Sequence, residues 1–354
     1  MKQVVVLSIL MAVISSAHRD LGGRDAISKP RHHALRVVPP PLPPAVRGVL
    51  PGEFEPIERV LITWDPSLTS FYGDLLTAIE GHAEVTFVVE EWERDEILAL
   101  IDDRGIARSG VSFVTGSADT IWMRDYGPLV VRGPTGLRWT VDFSYTERPL
   151  DDAVPRAITG ILWPGRAVVE APLRLENGNL LSDGRGRCVS TDFLFELESS
   201  RSRGAIRQML ANYLGCRELI VLPQLIGEPT GHVDMYVAIT GPAEAIVGRF
   251  DDELDPDNAA LTDRAARKLE RAGFTVRRIR MPPNDDGVYR SYTNALAVND
   301  VVLVPVYGEE YELEREALAV FASAYPGRDI VPIDSDLIID LDGAVHCAAI
   351  TIAR

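Results

Sequence analysis

Apolar residues fall along this chain in short runs whose period changes, and the change of period predicts the architecture. Val60-Leu-Ile-Thr-Trp64 is rich in β-branched residues and stops at Asp-Pro, which predicts a strand at 60–64. A helical stretch near 70–81, a strand at 84–90, a helix near 93–103 and a strand at 111–115 then set an α/β rhythm. The middle is richer in strands, predicted at 128–132, 138–145, 166–170, 179–183, 187–190 and 232–240, with Asp183-Gly-Arg-Gly186 as a hairpin turn. A helix near 257–272 takes Asp257 or Asn258 as its cap and Gly273 as its stop. Strands at 276–279 and 301–306 and a helix at 312–324 lead to a strand-like end at 344–352. Repeated ββαβ units around a centre fit this alternation, although no sequence repeat proves them.

The N-terminal region breaks the pattern. Lys2, an apolar run from Val4 to Ile14 and the small residues Ser15-Ser16-Ala17 predict a secretory signal over 1–17, too short for a permanent span. Residues 18–50, with Pro39-Pro-Pro-Leu-Pro-Pro44, predict an extended linker, because proline can join neither a helix interior nor a sheet core. The folded domain is then expected over 51–354, opening at Pro51-Gly-Glu-Phe-Glu-Pro56, in a protein exported to the periplasm or beyond. A mis-assigned start would leave it in the cytoplasm. Three cysteines make an odd count, so in an oxidising compartment at least one stays free or pairs between chains. Cys347 is the candidate; whether Cys188 and Cys216 bridge depends on geometry. The net charge of -16 argues against nucleic acid and favours cationic ligands, although solubility alone accounts for such acidity.

Candidate chemistry lies in scattered polar positions. His232 and Asp234, two apart in an expected strand, would share one face, with Val233, Met235 and Val237 on the other. Trp122 stands three residues before Asp125, and an aromatic wall attracts a guanidinium by roughly 0.5 to 2 kcal/mol. Cys347 sits among small residues, where a buried inert thiol is the ordinary outcome. His346 would point away from Cys347 in an extended segment, which makes the distant His232 the better base. The acidic run Asp251–Asp257 has Pro256 and Thr262 where a calcium loop needs Gly and Glu, so it is read as a solvated turn. No Gly-rich phosphate loop, Cys-x-x-Cys or His-Glu-x-x-His pattern is present.

Taken in order, Trp122-Met-Arg-Asp125-Tyr-Gly-Pro128, Leu175-Glu176-Asn-Gly-Asn179, Gly231-His232-Val-Asp234, Ser291-Tyr-Thr-Asn294 and Gly343-Ala-Val-His-Cys347 resemble the bacterial peptidylarginine deiminases and agmatine deiminases. The resemblance covers about 51–354. It implies the pentein fold, a five-bladed α/β propeller of ββαβ units with the active site on its axis. It also implies hydrolytic deimination of a guanidine without metal or organic cofactor. Cys347 would be the nucleophile, since a weakly electrophilic guanidinium carbon needs a soft thiolate. Asp125 and Asp234 would grip the guanidinium, His232 would protonate ammonia and activate water, and Glu176 would orient His232. Trp122, Asn294 and Arg148 complete the expected substrate-binding set.

The substrate is open at this level. The segment 141–152 lacks the Trp-Gly-Gly run of agmatine-specific members and looks closer to the peptidylarginine branch. In that branch two arginines bind the carboxylate of a C-terminal arginine; here Arg148 stands near one place and Leu150 at the other. The closing motif lacks the glycine run and Asn of the agmatine enzymes, and Asn177 follows Glu176 where Gly is usual. Arginine in exported peptides or proteins is therefore the leading expectation, with agmatine second. A propeller that only binds a cation, or a thiol protease built on Cys347 and His232, are the rivals from other classes.

Overall fold

Five small sheets arise from one recurring connection, a hairpin followed by a helix and a third strand. The computed structural model describes residues 48–145, 148–308 and 311–354. The expected signal and residues 18–47 of the expected linker lie outside them. The end of that linker is corrected: Val49 exchanges backbone hydrogen bonds with Arg132, and buried Leu50 donates its N–H to the Leu214 carbonyl, so both belong to the domain.

The first unit contains β1 (Ile57–Thr63), α1 (Thr69–Ile79), β2 (Glu84–Val89), α2 (Arg94–Arg104) and β3 (Val111–Thr115). A short helix α3 (Met123–Tyr126) leads to β4 (Leu129–Arg132), β5 (Arg138–Ser144), α4 (Pro149–Leu162) and β6 (Val168–Arg174). The third unit is β7 (Leu181–Ser182), β8 (Arg187–Thr191), α5 (Phe193–Leu197), α6 (Arg203–Leu214) and β9 (Glu218–Leu222). The fourth is β10 (Val237–Gly241), β11 (Glu244–Arg249), α7 (Pro256–Arg271) and β12 (Thr275–Arg280). The fifth is β13 (Leu296–Val298), β14 (Val301–Val306), α8 (Tyr311–Ala324) and β15 (Asp329–Asp334), followed by α9 (Asp336–Ile339) and β16 (Ala349–Ala353).

In units two to five the first two strands pair antiparallel and the third joins the second in parallel. A parallel neighbour needs a crossover, which the helix supplies, whereas the antiparallel pair needs only a turn. The helix in turn buries its apolar face on the sheet: α7 places Ala259, Leu261, Ala265, Ala266 and Leu269 inside. The first unit borrows its antiparallel strand from the far end of the chain, β16 on β1, so the last strand closes the ring. Five such units, closed by β16, are consistent with the five-bladed α/β propeller that the pentein resemblance implies.

Most predicted elements exist, with informative exceptions. Helix α4 is not among the expected elements; it forms despite Pro149 and Pro155, and Pro149 occupies its first turn, where no N–H is needed. Strand β15 contains Pro332 and survives because it is an edge strand of its sheet. Helix α6 was missed despite a Ser202 cap and a left-handed Gly215 at its end. The cap of α7 is Asp255, whose side chain accepts from the Asn258 N–H, and not Asp257 or Asn258. The runs expected as strands at 232–240 and 344–352 pair only from Val237 and Ala349 onward. Their leading residues form turns that carry polar side chains elsewhere.

Cys188 and Cys216 form a disulfide across the third unit, with 28 residues of sequence separation. Replacing both by alanine is expected to lower unfolding free energy by about 2–4 kcal/mol through the lost chain constraint. Urea titration of the double variant against the parent checks this, and an unchanged midpoint would refute it.

Candidate active site

Each unit contributes polar groups from one topological position, the segment just before its first strand. Asp125 precedes β4, Glu176 and Gly178 precede β7, His232 and Asp234 precede β10, Asn294 precedes β13, and Cys347 precedes β16. A strand entering from the axis places its leading residues there, so the ring gathers motifs from distant parts of the chain.

Gly178 measures the convergence. A Cβ at this position would lie 2.6 Å from Asp125 Oδ1, 2.9 Å from His232 Nδ1 and 3.2 Å from Asp234 Oδ2. Only glycine fits, and its N–H donates to Asp125 Oδ1 at 3.2 Å. Sequence reasoning missed this residue, although its place inside Glu176-Asn-Gly-Asn179 was a usable signal.

His232 and Asp234 lie around a single 3₁₀ turn, Val233–Met235, and not along one strand face. The ladder is displaced by side-chain hydrogen bonds: Asn179 Oδ1 accepts from the Val233 N–H at 3.1 Å, and Thr191 Oγ1 donates to the Gly231 carbonyl at 2.6 Å. His232 is held by carboxylates on both sides, with Nε2 2.6 Å from Glu176 Oε2 and Nδ1 3.5 Å from Asp125 Oδ1. Burial opposes the imidazolium, but Asp125 and Glu176 prevail and raise His232 to about 10. Burial pushes the Asp125 carboxyl up to about 7, reinforced by Glu176 and Asp234 and opposed by His232.

Cys347 is the free cysteine among the described residues and is buried. Its segment is a turn, so the extended geometry expected for 344–348 is corrected. Asn294 Nδ2 donates to Sγ at 3.0 Å, while Asn294 Oδ1 accepts from the N–H groups of His346 and Cys347. The expected assignment of Asn294 to substrate binding is thereby revised, because its amide is committed to the cysteine turn. The thiol also lies 3.6 Å from Asp234 Oδ2. Burial, with Asp234 and Asp125 adding to it, pushes the Cys347 thiol well above its ordinary range. Asp234 Oδ1 is buried without a hydrogen-bond partner.

Trp122 packs beside the thiol: a Cβ on Gly343 would meet its ring at 2.5 Å and Cys347 Cβ at 3.0 Å. Tyr145, which sequence reasoning overlooked, packs tilted against Tyr126 with ring centroids 5.6 Å apart; burial raises its hydroxyl, and Asp125 and Glu176 add to the effect. Arg148 is exposed at the start of α4, and among the described residues it makes no ion pair with Asp125, Asp234 or Glu176. His346, set aside as a base, faces Asp234 Oδ2 at 2.8 Å and Glu53 Oε2 at 2.6 Å. Neither Glu53 nor His346 was expected at the site.

The Porphyromonas-type peptidyl-arginine deiminase model matches residues 49–352. The chain belongs to that family. It is accordingly a hydrolase of carbon–nitrogen bonds in linear amidines. Agmatine deiminase of Stutzerimonas stutzeri is 26% identical over 348 residues, covering 84% of this chain and 93% of its own length. Agmatine deiminase of Medicago truncatula is likewise 26% identical, covering 84% of this chain and 94% of its own. A solved agmatine deiminase of Enterococcus faecalis superposes with a TM-score of 0.77 at 22% identity, covering 87% of this chain and 96% of that one, a likeness of fold.

For this deiminase-family protein, Gly178→Ala is expected to displace Asp125 and His232 and to lower kcat/KM at least ~100-fold. Steady-state kinetics beside a thermal melt check this, and near-normal kinetics would refute the convergence. The acid limb of the free enzyme's kcat/KM should lie near pH 7, because Asp125 must ionise to hold a cation and is raised to about 7. Asp125→Asn should remove that limb.

Proposed function

We propose that this chain hydrolyses the guanidinium of a small guanidinoalkylamine of the agmatine type through a covalent intermediate on Cys347. The observation that carries the reaction is the buried Asp234 carboxylate, whose Oδ2 lies 3.6 Å from the thiol and within the Gly178 cluster while Oδ1 is buried without a hydrogen-bond partner. An unpaired carboxylate oxygen inside a protein is costly, and a guanidinium N–H satisfies it with a charge-assisted hydrogen bond. Asp125, on the other side of the cluster, supplies the second anchor.

The chemistry follows from charge. Asp234 and Asp125 help hold Cys347 as a thiol in the free protein. A bound guanidinium offsets both carboxylates, the thiol loses its proton to solvent, and sulfur attacks the guanidinium carbon. His232, held as imidazolium by Asp125 and Glu176, protonates the departing nitrogen; the C–N bond breaks and ammonia leaves an S-linked thiouronium. Neutral His232 then takes a proton from water, whose oxygen bonds to the same carbon. The C–S bond breaks as the added hydroxyl gives up its remaining proton, which the released ammonia takes up in solvent, returning thiolate and a ureido product. The sum is guanidinium plus water giving urea derivative plus ammonium.

Curated relatives with agmatine in their names support the small-substrate reading over the peptide arginine expected from segment 141–152. Nearly complete burial of Cys347, Asp234 and His232 supports it too, since a slender chain reaches such groups most easily. One observation favours arginine in exported peptides as a second reading: the Cys188–Cys216 disulfide suits an oxidising compartment, in keeping with the proposed export.

The test measures ureido product and ammonia from agmatine, free arginine and peptides with internal or C-terminal arginine, with Cys347→Ser as control. Preferred turnover of agmatine, lost in Cys347→Ser while the melt is retained, is the expected result. Preference for a peptide would replace agmatine by the second reading. Ureido formation by Cys347→Ser would overturn the covalent mechanism, and silence of the parent on all four would overturn deimination of these guanidines.

A further inference from the structure

Behind Asp234 runs a buried chain of alternating charge to which the deimination steps assign no task. Arg124, 3% exposed, donates from Nη1 to Glu53 Oε1 at 2.8 Å, and from Nε to the His346 carbonyl at 3.3 Å. Glu53 Oε2 meets His346 Nε2 at 2.6 Å, and His346 Nδ1 meets Asp234 Oδ2 at 2.8 Å. A carboxylate on each ring nitrogen requires a hydrogen on each, so the ring is an imidazolium donating both ways. Burial and Arg124 oppose that charge, but Glu53 and Asp234 outweigh them and His346 is shifted upward. Burial likewise opposes ionisation of Glu53, yet Arg124 and His346 hold its carboxyl down to about 2.

The charged and titratable groups facing His346 come from four places. Glu53 lies in the segment before β1, Asp234 in the turn before β10, Arg124 on α3, and Cys347 next to it in the chain. Asn294, before β13, is neutral and binds the backbone of the same turn. No other hydrogen bond to the His346 ring occurs among the described residues.

We propose that Glu53 and His346 are positioning residues of the active centre. They hold Asp234 by Oδ2, the oxygen beside Cys347 and Gly178, which fixes the carboxylate at the site and leaves Oδ1 without a partner of its own, and this grip fails when His346 loses its proton. A buried aspartate with two free oxygens would rotate or pair with whichever donor came near. Fixing one oxygen orients the other, and the imidazolium compensates the buried charge. The consequence for chain organisation is that the segment before β1 is part of the catalytic machinery.

The inference rests on the deimination reading for its kinetic arm only. Side-chain nitrogen NMR of the histidines in the full chain, with His346→Gln identifying the resonance, tests the relay directly. His346 should remain imidazolium above the ordinary histidine range, and Glu53→Gln should lower its titration midpoint. With agmatine, or whichever guanidine is turned over, Glu53→Gln should bring the high-pH limb of kcat/KM down by the same interval. His346→Gln should lower kcat/KM at every pH and abolish the displaced limb.

A His346 resonance that titrates as an ordinary histidine in the parent would overturn the proposal. So would a Glu53→Gln variant whose activity falls equally at every pH. If no guanidine is turned over, deimination fails, while the NMR arm still decides the relay.

Discussion

The antiparallel pairing of β16 on β1 is the contact on which the active centre depends. Its register sets Ile62 against Ala349 and Leu61 against Ile350, all buried. Cys347 stands two residues before this strand, so the pairing places the sulfur. A slip of one residue would exchange the two faces of β16 and carry the thiol away from Asn294 and Asp234. The Arg124 N–H, donating to the Cys347 carbonyl at 3.1 Å, ties the closure to the helix that carries Asp125.

Once the ring is closed, electrostatics governs the centre. Cationic and anionic groups alternate outward from Asp234 through His346, Glu53 and Arg124, while His232 lies between Asp125 and Glu176. Cys347 and Asp125 respond to the remaining excess of negative charge, and both are displaced toward their protonated forms. A cation entering this cluster reverses both effects together. On the proposed mechanism, binding and activation of the nucleophile are thus one electrostatic event, without a separate base dedicated to the thiol.

The residue types needed for this chemistry were legible along the chain, because thiol, imidazole and carboxylates occurred in recognisable short contexts. Their common origin was not. The leading segments of the five units recur at intervals of roughly fifty to sixty residues, yet each carries different side chains, so composition hides the repeat. Strand prediction failed at those same segments: His232–Asp234 and Val345–Cys347 continue an apolar run in sequence but turn in space, where Asn179 and Asn294 capture their backbones. Local pattern reports the ladder and cannot report a competing partner more than fifty residues away.

Alternation of apolar and polar positions was enough to establish an α/β chain with strand-rich units, and the ordered short motifs, with the family resemblance they carry, nominated Cys347, His232, Asp125, Asp234 and Glu176. These are properties of near neighbours. The pairing of Cys188 with Cys216, the commitment of Asn294 to the cysteine turn, the need for Gly178, and the place of Glu53 and His346 behind Asp234 came only with the closed ring. Glu53 and His346 are separated by 293 residues, and their 2.6 Å contact exists because the two ends of the chain meet in one sheet. Periodicity decides which residues turn inward; closure decides what they meet.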